Sequence, residues 1–117
     1  FDAIYCINLP SATQRWEKMC RRFTALGIAA RIRRAPVIVT PQSHHIGCGL
    51  SHRGVVEIAR RTRLRNVLVF EDDAMFLENT LTLLDKMVSG LATQDWNLFY
   101  LGGNTRRTVS DCQVENG

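Results

Sequence analysis

Three carboxylates, Glu71, Asp72 and Asp73, follow directly on the apolar run Val67 to Phe70 in "NVLVFEDDAMF". Like charges this close repel one another, so without solvent or cations around them at least one would hold its proton more tightly. A divalent cation would keep all three ionised. Oxygen ligands of this kind suit Mg2+ or Mn2+ better than Zn2+. If extended backbone continues to residue 73, side-chain alternation sends Glu71 and Asp73 to one side and Asp72 to the other. One carboxylate can then bind metal while its neighbour accepts a hydrogen bond from a sugar hydroxyl. The competing explanation is acidic residues capping a turn before a helix.

A second group lies in "HHIGCGLSHRGVVEIARRTR". On a helix, His45, Cys48 and His52 would share a face at separations of three and four, a zinc-like ligand set that the sequence ranks well below the carboxylates. Gly47, Gly49 and Gly54 are unusual in a helix, since each costs on the order of 1 kcal/mol relative to Ala, so something is expected to approach that backbone closely. The four cysteines, at 6, 20, 48 and 112, form no C-x-x-C pair and are expected to be reduced thiols in a reducing compartment.

Thirteen of the fifteen basic residues are Arg and the net charge is +4, which points to an anionic ligand because the guanidinium fork matches phosphate and carboxylate oxygens. Most of these Arg are nevertheless expected on solvated helix faces. Aromatic residues do not alternate with the basic ones, which argues against single-stranded nucleic acid. No apolar run approaches the roughly 20 residues of a membrane span, leaving room only for peripheral membrane contact.

The elements that must position these residues alternate. "DAIYCIN" reads as a short buried strand. "SATQRWEKMCRRFTALG" reads as an amphipathic helix, opened by a capping box of Ser11 and Gln14 and stopped by Gly27. "AARIRRAPVIV" holds a second strand broken at Pro36, "TPQSHH" a loop, and the glycine-bearing segment the next helix. "NVLVFE" is the third strand, "NTLTLLDKMVSG" a helix and "WNLFYLGG" a fourth strand. At 117 residues this is one α/β domain, a mostly parallel sheet covered on both faces, with ligands expected beyond the carboxyl ends of the strands.

Four blocks in order, "YCINLPSATQRWEKM", "IGCGLSHRGVVEIA", "VLVFEDDAMF" and "WNLFYLGG", resemble glycosyltransferase family 25, the group of bacterial lipopolysaccharide sugar transferases and collagen galactosyltransferases. The resemblance implies a Rossmann-like GT-A nucleotide-sugar-binding fold. It also implies inverting transfer of a hexose, commonly galactose from UDP-galactose, to a hydroxyl of a glycan or lipooligosaccharide acceptor, assisted by Mn2+ or Mg2+. Asn8 and Arg15 match the motif near the donor nucleotide, with Arg15 suited to diphosphate oxygens. Gly47, Cys48, Ser51 and His52 match a "GC-x-x-SH" block, whose small residues would let a ligand approach a helix N-terminus. Of the acidic motif, Asp73 is assigned as metal ligand with Glu71 beside it, and Asp72 as ribose or sugar contact. Two departures stand out: Pro10-Ser11-Ala12 lacks a basic residue of the first motif, and His45 stands where a Glu is usual.

The chain starts at Phe1 rather than Met and reads as the donor-binding part, residues 1–117, of a longer transferase that continues on the C-terminal side. The acceptor base is then expected elsewhere, Asp95 and Asp111 being candidates only by their presence. A part of this kind would expose apolar surface and self-associate. The resemblance to lipopolysaccharide enzymes implies a bacterial cytoplasmic location, at the inner face of the inner membrane. Two other classes remain. A non-catalytic homologue would keep the fold without turnover. A phospho-receiver module shares the strand and acidic pair, but there the pair closes the first strand and a later strand ends in Asp.

Overall fold

A computed structural model describes residues 1–41 and 43–102. Two compact units divide the chain, Phe1–Leu81 and Thr82–Gly117. The first contains a three-stranded parallel sheet in the order β2-β1-β3, formed by β1 (Ala3–Ile7), β2 (Ile32–Ala35) and β3 (Val67–Glu71). Two helices connect the strands, α1 (Thr13–Ala25) and α2 (His44–Arg61), and a third, α3 (Thr80–Leu91), follows. The α/β class and the parallel, Rossmann-like sheet expected from the sequence are what the chain forms.

β1 is buried at every position because it is the central strand and is covered on both faces. Register and side-chain alternation divide the core in two. Ala3, Tyr5 and Ile7 pack with Ala35, Val67 and Val69 against Val55 of α2. Cys6 packs with Phe70 and Ile32 against Met19 and Phe23 of α1. Parallel strands joined by crossovers of one hand place the two helices on opposite faces when the chain passes from β1 to one neighbour and then across to the other. The α1 face carries an aromatic triad: Phe23 lies 5.7 Å from Phe70 and 5.9 Å from Phe76, and Phe70 meets Phe76 edge-on at 5.3 Å. Burying Phe23 and Met19 contributes roughly 1.5–3 kcal/mol each.

The helix ends follow local chemistry. Gly27, at φ 71°, ends α1 as the left-handed residue of a Schellman motif, with the Gly27 amide donating to Thr24 and the Ile28 amide to Phe23. Ser43 caps α2, its hydroxyl accepting from the amide of His45.

Two expectations are corrected. The Ser11–Gln14 capping box does not form: α1 starts one residue later than a Ser11 cap would place it, behind Ala12, whose amide closes a turn on the Leu9 carbonyl, and no side chain caps it. The run "WNLFYLGG" is not a strand over residues 96–102, because a strand needs a ladder partner and the sheet has three strands among the described residues. Gly103, Asp111 and Cys112 lie outside the described residues.

Candidate functional site

At the C-terminal ends of β1 and β3 the three carboxylates separate onto two sides. The strand ends at Glu71 and the chain turns at Asp72 and Asp73, the Ala74 amide donating to the Glu71 carbonyl, so extended backbone does not reach residue 73. Glu71 keeps the strand's phase. As the register partner of Ile7, it faces α2. Asp72 faces α1.

On the α1 side, Asn8 is the junction. It is 2% exposed, and its amide donates to Asp72 Oδ2 at 2.6 Å and to the Ala12 carbonyl at 3.2 Å. Its Oδ1 accepts from Arg34, which also donates to the Leu9 carbonyl at 2.9 Å and lies 5.0 Å over the ring of Trp16. Arg15 pairs with the other Asp72 oxygen at 3.0 Å. The Asp72 side chain is 10% exposed and that of Arg15 is 54% exposed, so the carboxylate is tucked in and the guanidinium open to solvent. Beside them a shallow cleft of about 340 Å³ runs along Ser11, Ala12, Thr13, Gln14 and Arg15, at the start of α1. Burial, with the nearby Asp72 charge adding, pushes the Cys6 thiol beneath this cluster up to about 12.

On the α2 side, Glu71 Oε1 lies 3.1 Å from His52 Nε2 and accepts from the Cys48 thiol at 3.6 Å. Burial comes first, then the charge of Glu71 and its hydrogen bond, with Asp73 adding, in raising the Cys48 thiol above its ordinary value. Asp73 is exposed and close enough for its charge to be felt at Cys48. The turn is fastened from α1: the guanidinium of Arg22 donates to the Ala74 carbonyl at 2.6 Å and reaches Met75 Sδ at 2.8 Å.

The structure therefore brings Asn8, Arg15 and Asp72 into one contact group, and Cys48, His52 and Glu71 into another. Gly47 and Ser51 are buried and turned toward the chain's own backbone. A Cβ on Gly47 would lie 2.8 Å from the Ile38 carbonyl oxygen, which identifies what approaches that helix closely. Ser51 Oγ accepts from the Ile38 amide at 2.9 Å and donates to the Gly47 carbonyl at 2.7 Å. Gly49 and Gly54 have nothing near an added Cβ. His44 and His45 are exposed on the first turn of α2, and Glu71 takes the third place that the sequence offered to His45. Asp95 is exposed within the second unit and is not assigned to the rim.

Arg34 and Trp16 are the participants that sequence reasoning missed. The one signal was the alternation in "RIRRA", which puts Arg34 on the same side of its strand as Ile32. Only the pairing of Cys6 with Arg34 brings it to Asn8.

Residues 41–115, more than half of the chain, match the model of Glycosyltransferase family 25 (LPS biosynthesis protein). The chain belongs to glycosyltransferase family 25. It is 28% identical to a glycosyltransferase 25 family member of Drosophila melanogaster over 98% of its own length and 23% of the relative's. It is 29% identical to a probable inactive glycosyltransferase 25 family member 3 of Rattus norvegicus, again over 98% of this chain and 25% of the relative, and 28% identical to the inactive member 3 of Mus musculus, over 98% and 24%. The chain thus spans about a quarter of the length of these curated relatives. No solved structure gives a significant match. The relatives are animal proteins, which lends the expected bacterial location no support. No helix among the described residues is long and apolar enough to cross a membrane.

Proposed function

We propose that this chain forms the nucleotide-sugar donor site of a family 25 hexosyltransferase, with UDP-galactose as donor and a glycan hydroxyl, of lipopolysaccharide or a related polysaccharide, as acceptor. The observation that carries it is the charge arrangement where β1 and β3 end. Asp72, Asn8, Arg15 and Arg34 form one network beside the uncapped start of α1, at the place in the strand order where open α/β sheets bind ligands.

In this reading the diphosphate lies in the cleft along Ser11 to Arg15, drawn by the first-turn amides and the open guanidinium of Arg15. Arg15 presents five donors, so pairing with Asp72 leaves others for phosphate oxygens. Arg34 holds the Asn8 amide and with it the tilt of Asp72, which accepts from a ribose or sugar hydroxyl. The reaction is a single displacement at the anomeric carbon by the acceptor hydroxyl, with inversion. Arg15 and the helix N-terminus offset the charge that grows on the departing diphosphate. His52 steadies Glu71, while Gly47 and Ser51 seat α2 so that it can do so.

The carboxylates also fit a divalent cation of the Mn2+ or Mg2+ kind, since Asp73 is exposed and bears no ion pair among the described residues, and such ions need only one or two carboxylates besides phosphate oxygens. Asp73 would hold it, with Glu71 beside it, and when bound it supplies further charge neutralisation on the diphosphate.

Calorimetric titration with UDP and UDP-galactose, with and without Mn2+, tests this reading. Metal-dependent binding that weakens at least about tenfold in Asp73→Asn is expected. A second reading, a fold-retaining homologue without turnover, draws support from the inactive designation of the rat and mouse relatives. Absent or metal-independent nucleotide binding would favour it.

A further inference from the structure

Cys48, His52 and Glu71 offer three ligand atoms, a thiol sulfur, an imidazole nitrogen and a carboxylate oxygen, all within 4.8 Å of one another. They come from two elements. Cys48 and His52 lie one helical turn apart on α2, so their side chains project from the same face. Glu71 closes β3 opposite them. A tetrahedral zinc ion with ordinary bond lengths holds its ligand atoms about 3.4–3.6 Å apart. Here the nitrogen and sulfur stand 3.1 Å and 3.6 Å from the carboxylate oxygen, close to that requirement before any ion enters. The set is wrong for the hard cations that Asp73 suits, because a thiolate and an imidazole select zinc-like ions over Mg2+ and Mn2+. The His52 and Glu71 side chains are 41% and 52% exposed, which leaves a path for the ion and a solvent-facing fourth position.

We propose that this chain binds a thiophilic divalent cation of the zinc class through Cys48 Sγ, His52 Nε2 and Glu71 Oε1, with water or an exogenous ligand in the fourth place. The site is separate in chemistry from the oxygen-ligand site at Asp73, shares Glu71 with it, and does not rest on nucleotide binding. Occupancy by zinc takes Glu71 away from the harder ion, so the two metals are in competition for the rim.

The test uses the full chain, reduced and stripped of metal, titrated with Co2+ in the absence of any nucleotide. Binding at one equivalent with a thiolate-to-cobalt charge-transfer band is expected. Zn2+ should abolish the band at stoichiometric amounts, and Mn2+ should need at least about a tenfold greater concentration. Cys48→Ser should remove the band and His52→Ala weaken Co2+ binding at least about tenfold, whereas Cys20→Ser should leave both unchanged. Circular dichroism of each variant confirms that it is folded, and His52→Gln replaces His52→Ala if the latter is not. No charge-transfer band, a band that survives Cys48→Ser, or equal displacement by Mn2+ and Zn2+ would overturn the proposal. UDP titration of the same samples reports on the donor reading by itself, so either can fail alone.

Discussion

The two sides of the rim start from the same three adjacent carboxylates and end with opposite electrostatics. On the α1 side a single carboxylate, Asp72, meets two guanidinium groups, directly from Arg15 and through Asn8 from Arg34. On the α2 side two carboxylates, Glu71 and Asp73, pair with no Arg or Lys among the described residues, and Glu71 is met by an imidazole and a thiol instead. The first side has positive charge to spare and suits a diphosphate; the second suits a cation. One turn of backbone after β3 is enough to sort the charges, since alternation along a strand is a matter of single residues.

That contrast should appear first in stability. Asp72→Ala leaves one hydrogen of the buried Asn8 amide unpaired and takes the partner from Arg15, and should cost about 2 kcal/mol. Glu71→Ala, on the open side, should cost less than about 1 kcal/mol. Urea unfolding of the two variants measures both, and equal losses would erase the distinction. Two glycines of α2 give a second stability contrast, in sign rather than size. Gly47→Ala should destabilise by about 1–3 kcal/mol, because its Cβ would meet a backbone carbonyl that cannot swing aside. Gly49→Ala, with open space around it, should stabilise by up to about 1 kcal/mol. Paired thermal melts show the opposite signs directly.

Thiol reactivity separates the sides more gently. Metal-free Glu71→Gln loses the charge that helps hold the proton on Cys48, so the thiolate fraction at neutral pH rises and alkylation of Cys48 should speed up severalfold. Cys6, at about 12 and buried under Asp72, should stay unlabelled in the folded protein at the same pH. Mass spectrometry of the two peptides gives both rates. The smallest effect lies at the other end of β1, where Asp2 accepts from the Arg65 amide at 2.8 Å and that contact, with the Arg65 side chain adding, lowers its pKa below the ordinary 3.8. A lowered carboxylate stabilises above its unfolded value, and the contribution disappears as pH falls through the folded one. Asp2→Asn should therefore reduce stability slightly at neutral pH and match the parent once the pH has fallen below the lowered value, leaving the rim's metal and thiol behaviour untouched.

Much of this was legible in the chain. β-branched and aromatic runs gave β1 and β3 to within a residue, and the steps among Trp16, Met19 and Phe23 gave the buried face of α1. The opposed directions of Glu71 and Asp72 followed from period two, even though the turn begins at Asp72, two residues earlier than supposed. What did not follow depends on pairing. Arg34 reaches Asn8 because Cys6 and Arg34 are in register across 28 positions of sequence, and local composition carries no register information. The same gap explains "WNLFYLGG", whose composition suits a strand but whose 96–102 backbone has no ladder partner among the described residues. Close approach, expected for all three glycines of α2, holds at Gly47 alone, where the approaching group is the segment after β2; Gly49 and Gly54 have open space around them.

Asn8 has a last consequence. A primary amide has a head and a tail: one end only gives hydrogens, the other only receives them. With the receiving end toward Arg34 of β2 and the giving end toward Asp72 just past β3, this one side chain tells the left neighbour of the central strand from the right. Leucine would be blind to the difference and aspartate would push β3 away, so the handed ordering of three strand ends is entrusted to a group that no isostere can imitate.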